Sequence, residues 1–196
     1  MDNDKQIICT SRLFGETIDS SHWPFWKKMG ANSVLMANIG GTWDETTALK
    51  KLRWNIDHWQ RNGFGQWMFF DKTNCEFIGR CGLRKMEVDG KMEIELGYSV
   101  IPTFWRQGYA SEMAMKAVEI GFGKLNFPNV VAFTTYNNIA SQKTIQKLGF
   151  EFETEFNKNS IEHLLYRKTN VSLMNISKKL IFPEMEQVLW KKEEVF

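Results

Sequence analysis

Apolar residues along this chain recur with two periods, and the switches between them lay out its elements. Ile7 to Phe14 reads as a first strand. Thr17 to Met29 reads as a short helix, started by Asp19-Ser20-Ser21 and broken by Pro24. Thr42-Trp43-Asp44-Glu45 has the form of a capping box, with Thr42 as N-cap and Glu45 at N3. From there Ala48, Leu49, Leu52, Ile56 and Trp59 recur at helical spacing, so residues 43–62 form a helix with one buried face, ended by Asn62-Gly63. The period then falls to two. Gln66 to Asp71, Glu76 to Glu87 and Met92 to Val100 are extended runs, separated by the turn sequences Lys72-Thr73-Asn74 and Val88-Asp89-Gly90. They predict an antiparallel meander. Helical spacing returns from Ala110 to Lys124, where Ala110, Ala114, Ala117 and Gly121 make a smooth stripe suited to close packing. Val130 to Tyr136 is a β-branched and aromatic strand, and Asn138 to Leu148 a helix with Gly149 at C′. Glu151 to Phe156 and Ile161 to Arg167 flank Asn157-Lys158-Asn159-Ser160 as a hairpin. The order β-α-α-β-β-β-α-β-α-β-β predicts a mixed sheet with helices packed on its faces. Residues 170–196 read as an addition, with Pro183 as a helix start and Met185, Val188, Leu189 and Trp190 available for docking.

Composition narrows the class without changing this picture. A hydrophobic content of 43% with 24% charged residues describes an ordinary globular protein, long enough at 196 residues to bury a full core. A net charge of +2, with no basic block interleaved with aromatics, argues against a nucleic-acid partner. No apolar stretch reaches the ~20 residues that span a bilayer, and the polar start Met1-Asp2-Asn3-Asp4-Lys5 is unlike a signal peptide. Cys9, Cys75 and Cys81 have no metal-ligand spacing, and His22, His58 and His163 are scattered, so no metal is assigned. A cytoplasmic protein, monomer or homodimer, without membrane contact is the expectation.

The candidate chemistry lies at Trp105-Arg106-Gln107-Gly108-Tyr109-Ala110-Ser111-Glu112, which follows the strand Glu93 to Val100 and opens a helix. A strand, a glycine turn and a helix start present free backbone N–H groups at the positive end of a helix dipole. That is an anion site, suited to the pyrophosphate of a nucleotide cofactor. Its companion is Asn138-Ile139-Ala140-Ser141, leading to Lys147-Leu148-Gly149-Phe150. The ordered pair resembles the GNAT superfamily of N-acetyltransferases, and is most similar to its ribosomal-protein N-terminal acetyltransferase (RimJ/RimL-like) branch. The resemblance covers about residues 7–168, with Trp105 standing where the family's loop pattern begins with Arg or Gln.

The resemblance implies an α+β fold with a mostly antiparallel, splayed sheet, helices on both faces, a catalytic domain over residues 1–169 and an extension over 170–196. It implies acetyl-CoA as co-substrate, transferred directly to a primary amine, with a protein N-terminus favoured. The alternatives are a small amine (polyamine, amino sugar or amino acid) and a non-catalytic acyl-CoA-binding module. Arg106, Gln107, Gly108, Tyr109, Ala110 and Ser111 match the pyrophosphate loop, and Asn138 and Ser141 match the second cofactor-contacting positions. The backbone of Ser99 and Val100 would pair with the pantetheine arm where the strands Glu93–Ile101 and Val130–Tyr136 splay apart. Arg106, Lys143 and Lys147 either neutralise phosphates or form a solvated helix face. Glu95 matches an acidic position used as a base; its other reading is a strand Glu paired with Arg84 or Lys85. The superfamily's acid Tyr position is Ile145 here, which leaves Ser141 to act at the sulfur, with Tyr98 and Tyr136 in reserve. Cys75 and Cys81 read as structural. Trp23, Phe25, Trp26, Trp43 and Trp54 fall in the region that lines the acceptor side in this family, or simply in the core. A polyamine site would show several carboxylates at the acceptor mouth; a peptide site would show an open groove with strand-edge contacts.

Overall fold

In the computed structural model, which describes residues 5–37 and 39–173, the run expected as one N-terminal strand folds back on itself. β1 (Ile7–Cys9) and β2 (Leu13–Thr17) pair antiparallel around Thr10, whose N–H and hydroxyl reach the Leu13 carbonyl at 2.9 and 3.3 Å. The polar triplet Thr10-Ser11-Arg12 supplies the turn. The next helix starts later than its sequence signals suggest. Asp19 caps a 3-10 turn, Ser20–His22, and α1 (Trp23–Ala31) follows with Pro24 in its first turn, where a missing N–H loses no hydrogen bond. Pro24 starts this helix and breaks none. After α2 (Ser33–Met36) comes α3 (Glu45–Asn62), capped by Asp44 rather than Thr42: Asp44 Oδ1 accepts from the Thr47 N–H at 2.7 Å.

The meander is as expected: β3 (Gln66–Asp71), β4 (Phe77–Val88) and β5 (Lys91–Val100). Then come α4 (Tyr109–Gly123), β6 (Asn129–Thr135), α5 (Ile139–Lys147) and the hairpin of β7 (Glu151–Lys158) and β8 (Ile161–Thr169). A Schellman ending closes α5: the Gly149 N–H meets the Gln146 carbonyl at 2.9 Å and the Phe150 N–H meets that of Ile145 at 3.3 Å. The strands form one sheet, ordered β1-β2-β3-β4-β5-β6-β8-β7. Every neighbouring pair is antiparallel except β5 and β6. The mixed, mostly antiparallel sheet therefore stands, with one more hairpin and one more short helix than the sequence pattern gave.

Side-chain parity divides the faces. Leu83 and Leu96 pair across β4 and β5 and meet α4, where a Cβ on Gly121 would lie 2.6 Å from Leu83 Cδ1. The same parity puts Arg80, Arg84, Glu95, Gly97 and Ser99 on the opposite face, under α1 and α3. Buried aromatic and aliphatic side chains, among them Trp26, Phe69, Leu83 and Met113, fill the layers. Asn170 is buried beyond β8 and donates to the Phe122 and Phe127 carbonyls, tying the end of the sheet to α4. The docking helix expected around Pro183 to Trp190 lies outside the described residues. Among the described residues no helix is long and apolar enough to cross a membrane.

Candidate active site

β5 and β6 are in register at a single parallel position, Glu95 opposite Val131, and C-terminal to it they part. The parting opens a groove of about 1650 Å³ lined from both faces of the sheet. One small ligand fills roughly 300–1,000 Å³, so this space suits two substrates meeting end to end.

At one end lies the turn before α4. Arg106 (φ 63) and Gly108 (φ 82) both adopt left-handed backbone, which curls successive N–H groups towards one side. Asp44 caps α3 and Asn138 caps α5, whereas Gly108 offers no side chain, so the first N–H groups of α4 face the groove uncapped. The turn is held from behind. The Arg12 guanidinium donates to the Gln107 carbonyl at 3.0 Å, lies 4.1 Å over the Tyr109 ring and pairs with Glu112 at 2.7 Å. Glu112 also accepts from Thr10 Oγ1 at 2.6 Å and the Arg12 N–H at 2.8 Å. Burial raises the Glu112 carboxyl, but these hydrogen bonds win and hold it below the usual carboxylate range. Of the residues expected in the turn, Arg106, Gly108, Tyr109, Ala110 and Ser111 line the groove. Gln107 does not; its side-chain amide turns back to the Thr103 carbonyl.

Along β5, backbone parity corrects one expectation. The Ile101 N–H bonds to Ile78 on β4, and the Ser99 carbonyl points at Gly79, where an added Cβ would meet it at 2.1 Å. Ser99 therefore spends its backbone on β4, and Tyr98 and Val100 present theirs to the parting. The Val100 carbonyl there accepts from Trp105 Nε1 at 2.7 Å. The Tyr98 side chain reaches α5, its hydroxyl 2.9 Å from Ser141 Oγ. Burial pushes that phenol up to about 12 against the Ser141 hydrogen bond, so it keeps its proton. Asn138 Oδ1 accepts from the Ser141 N–H at 3.2 Å. Ile145 is buried, and Tyr136 is exposed.

At the far end the lining is charged. Both oxygens of buried Glu95 accept from Arg84, at 2.9 Å from Nε and from a terminal nitrogen. Arg80 stands beside them, 7% exposed, with one terminal nitrogen on Gln66 Oε1 at 3.1 Å and the Trp26 ring 5.2 Å away. Lys51 and Asn55 descend from α3, and Lys158 comes from the end of β7. Trp26, Trp43 and Trp54 line this end, while Trp23 and Phe25 do not. Lys51, Asn55, Arg80 and Lys158 were not singled out from sequence. The available signal was their spacing: 51 and 55 share a helix face, and 80 and 84 share a strand face.

An acetyltransferase (GNAT) domain model matches residues 12–151. The chain belongs to the GNAT acetyltransferase family. It is 32% identical to YjdG of Bacillus subtilis, an uncharacterized N-acetyltransferase, over 150 residues, covering 74% of this chain and 89% of that one. It is 29% identical over 159 residues to the FsC-acetyl coenzyme A-N(2)-transacetylase of Aspergillus fumigatus, covering 76% and 67%. The fold is shared with an acetyltransferase from Agrobacterium tumefaciens (TM-score 0.75, 22% identity, 83% of this chain and 94% of that one). It is also shared with RimL, a ribosomal L7/L12 alpha-N-protein acetyltransferase, in complex with coenzyme A (TM-score 0.69, 20% identity, 84% and 98%). The protein is thus an acetyl-CoA-dependent N-acetyltransferase of the GNAT type. The uncapped α4 N-terminus and the open β5 edge fit a pyrophosphate and an amide-bearing arm. Cys81 is fully buried and its thiol pushed up by that burial, as a packed side chain would be; Cys75 is exposed.

Proposed function

We propose that this GNAT domain, residues 1–169, acetylates a primary amine by direct attack within a ternary complex, and that a peptide N-terminus is the preferred acceptor. One observation carries the reading: a single groove joins the uncapped α4 turn, the Tyr98–Ser141 hydroxyl pair and Glu95 through the parting of β5 and β6. Acetyl-CoA supplies its acetyl group as a thioester. Arg106, Gly108, Tyr109, Ala110, Ser111 and Asn138 hold the donor, and the backbone of Tyr98 and Val100 aligns its arm along the strand edge. The Val100 N–H polarises the carbonyl. The Tyr98 O–H donates to Ser141 Oγ, which turns the Ser141 hydroxyl proton towards the leaving sulfur. Glu95 gives Arg84 one lone pair on each oxygen and keeps another, so it takes the amine proton through a bridging water.

The open groove and exposed strand edge favour a peptide over an enclosed small molecule, in keeping with the fold likeness to RimL. Among the described residues Glu95 is the groove's one carboxylate and is already matched by Arg84, which weighs against a polyamine. The test is incubation with labelled acetyl-CoA and a library of peptides and small amines, read by CoA thiol release and mass spectrometry. Acetylated peptide N-termini are the expected products. Acetyl-CoA binding without thiol release from any amine would overturn catalysis, and small-amine products alone would overturn the acceptor.

A further inference from the structure

We propose that the acceptor carries an anionic group, a carboxylate or phosphate, seated among Arg80, Lys51 and Lys158 at the α3 end of the groove. The inference rests on the acetyl-transfer reading and specifies its acceptor. Among the described residues, Lys50, Lys51, Arg80, Arg84 and Lys158 share this end of the groove with one carboxylate, Glu95, and Arg84 already engages that carboxylate on both oxygens. Among the described residues no carboxylate lies within salt-bridge distance of Arg80, Lys51 or Lys158. Arg80 donates to Gln66 Oε1 and lies beside the Trp26 ring, Lys51 Nζ lies 5.2 Å from the Trp43 ring, and Lys158 Nζ 4.6 Å from that of Phe133. A buried guanidinium with no ion-pair partner of its own, its field from Glu95 outweighed by burial and by Arg84, is costly, and an apolar residue would pack there at lower cost.

Hydrogen-bonding capacity points the same way. Among the described residues the buried atoms Arg80 Nε, Ser99 Oγ and Asn55 Oδ1 have no partner, and all three residues line the groove. The first two donate and suit an anion's oxygens; the third accepts and suits an amine N–H. Each cation also registers the others. Burial lowers the Lys51 amine, and Arg80 and Arg84 lower it further; burial lowers Lys158 too, with Arg84 and Lys51 adding and Glu95 opposing. An anion relieves that repulsion. The same field disfavours an ammonium and so favours the neutral amine that attacks. Arg80 pairs with Ser99, next to Tyr98 on the strand, which separates anion and amine by about 5–10 Å, one to two strand spacings. An amino acid and a peptide whose first residues are acidic both meet that spacing.

The test is acetylation of matched amine pairs by the full chain, read as CoA thiol release, with acetyl-CoA binding measured separately. One arm compares amino acids with their amides; the other compares peptides bearing Asp or Asn next to the N-terminus. The anionic member is expected to show about tenfold higher kcat/KM or more, chiefly through KM. Lys51→Met, at an exposed site, and Lys158→Met, at a half-buried one, are expected each to cut the anionic-to-neutral ratio about threefold or more. The arm with the larger preference identifies the source of the anion. Equal rates within both arms, or a ratio unmoved by either variant, would overturn the anion subsite and leave acetyl transfer intact. Acetyl-CoA binding without thiol release from any pair would overturn the transfer reading and the subsite with it.

Discussion

Replacing Arg12 by Met removes the brace behind the α4 turn while sparing every residue that lines the groove. The guanidinium gives up its bond to the Gln107 carbonyl, two contacts of 2.7 Å to Glu112 and its seat over Tyr109. The Thr10 hydroxyl and residue 12 N–H still reach Glu112. Charge-assisted bonds contribute ~1.5–3 kcal/mol when dry, but the Arg12 side chain is 43% exposed, so the discounted loss is about 1–2 kcal/mol. For a domain of this size that lowers Tm by roughly 3–6 °C. Two effects act on acetyl-CoA with the same sign. The turn loses its alignment, and an unmatched Glu112 carboxylate, 16% exposed, is left in the first turn of α4. Acetyl-CoA affinity, read by calorimetry, is therefore expected to fall about tenfold. Adding Glu112→Gln removes the stray charge and is expected to recover part of that loss. The pH dependence has a fixed sign. Glu112 titrates below its unfolded value, so its stabilisation is complete above the ordinary carboxylate range and disappears as pH falls through the folded value. The Tm gap between wild type and Arg12→Met should persist at pH 5 and narrow below about pH 4. An Arg12→Met protein with unchanged acetyl-CoA affinity, or a deficit that Glu112→Gln deepens, would refute the brace.

Three further outcomes follow from the geometry. Ser141→Ala is expected to lower kcat about 10–100-fold with little change in acetyl-CoA affinity, and Tyr98→Phe about tenfold; steady-state kinetics on one acceptor checks both, and unchanged kcat in either would remove that hydroxyl from the proton path. Gly82→Ala would place a Cβ 2.0 Å from the Gly65 carbonyl oxygen and 2.6 Å from Gln66 Cα, both backbone, so a loss of about 3 kcal/mol is expected in thermal or urea unfolding. His58 Nδ1 donates to the Phe64 carbonyl at 2.9 Å and Nε2 accepts from the Lys85 N–H at 2.9 Å, which requires the neutral ring. Burial, opposed by the Phe64 bond, lowers its pKa; the unfolded chain takes up a proton near pH 6.5 that the fold refuses, so stability falls on acidification from pH 7.5 to 5.5 by about 1 kcal/mol. Urea midpoints equal at the two pH values would contradict this clip between α3 and β4.

What the sequence made legible was local, and what it concealed depended on pairing. Gln66–Asp71 was bounded correctly because its run of large apolar side chains is buried on both faces and flanked by turn residues. Asp44 and Thr42 are both capping residues two positions apart, and only the direction of the chain entering α3 chose between them. Ser99 was placed on the open strand edge for want of backbone parity, which only the neighbouring strand defines. The cationic end of the groove lay between these cases. Asp89 (φ 50) and Gly90 (φ 73) form a two-residue hairpin turn, the conformation that an Asp-Gly pair favours between strands. Such a turn sets Val88 opposite Lys91, and counting outward then sets Arg84 against Glu95 and Arg80 against Ser99. A slip of two residues would put Arg84 opposite Glu93 or Gly97 and leave Glu95 to another partner. The charge at this end of the groove is thus fixed by a turn ten residues from Arg80, and the Asp-Gly dipeptide announced that turn in the sequence.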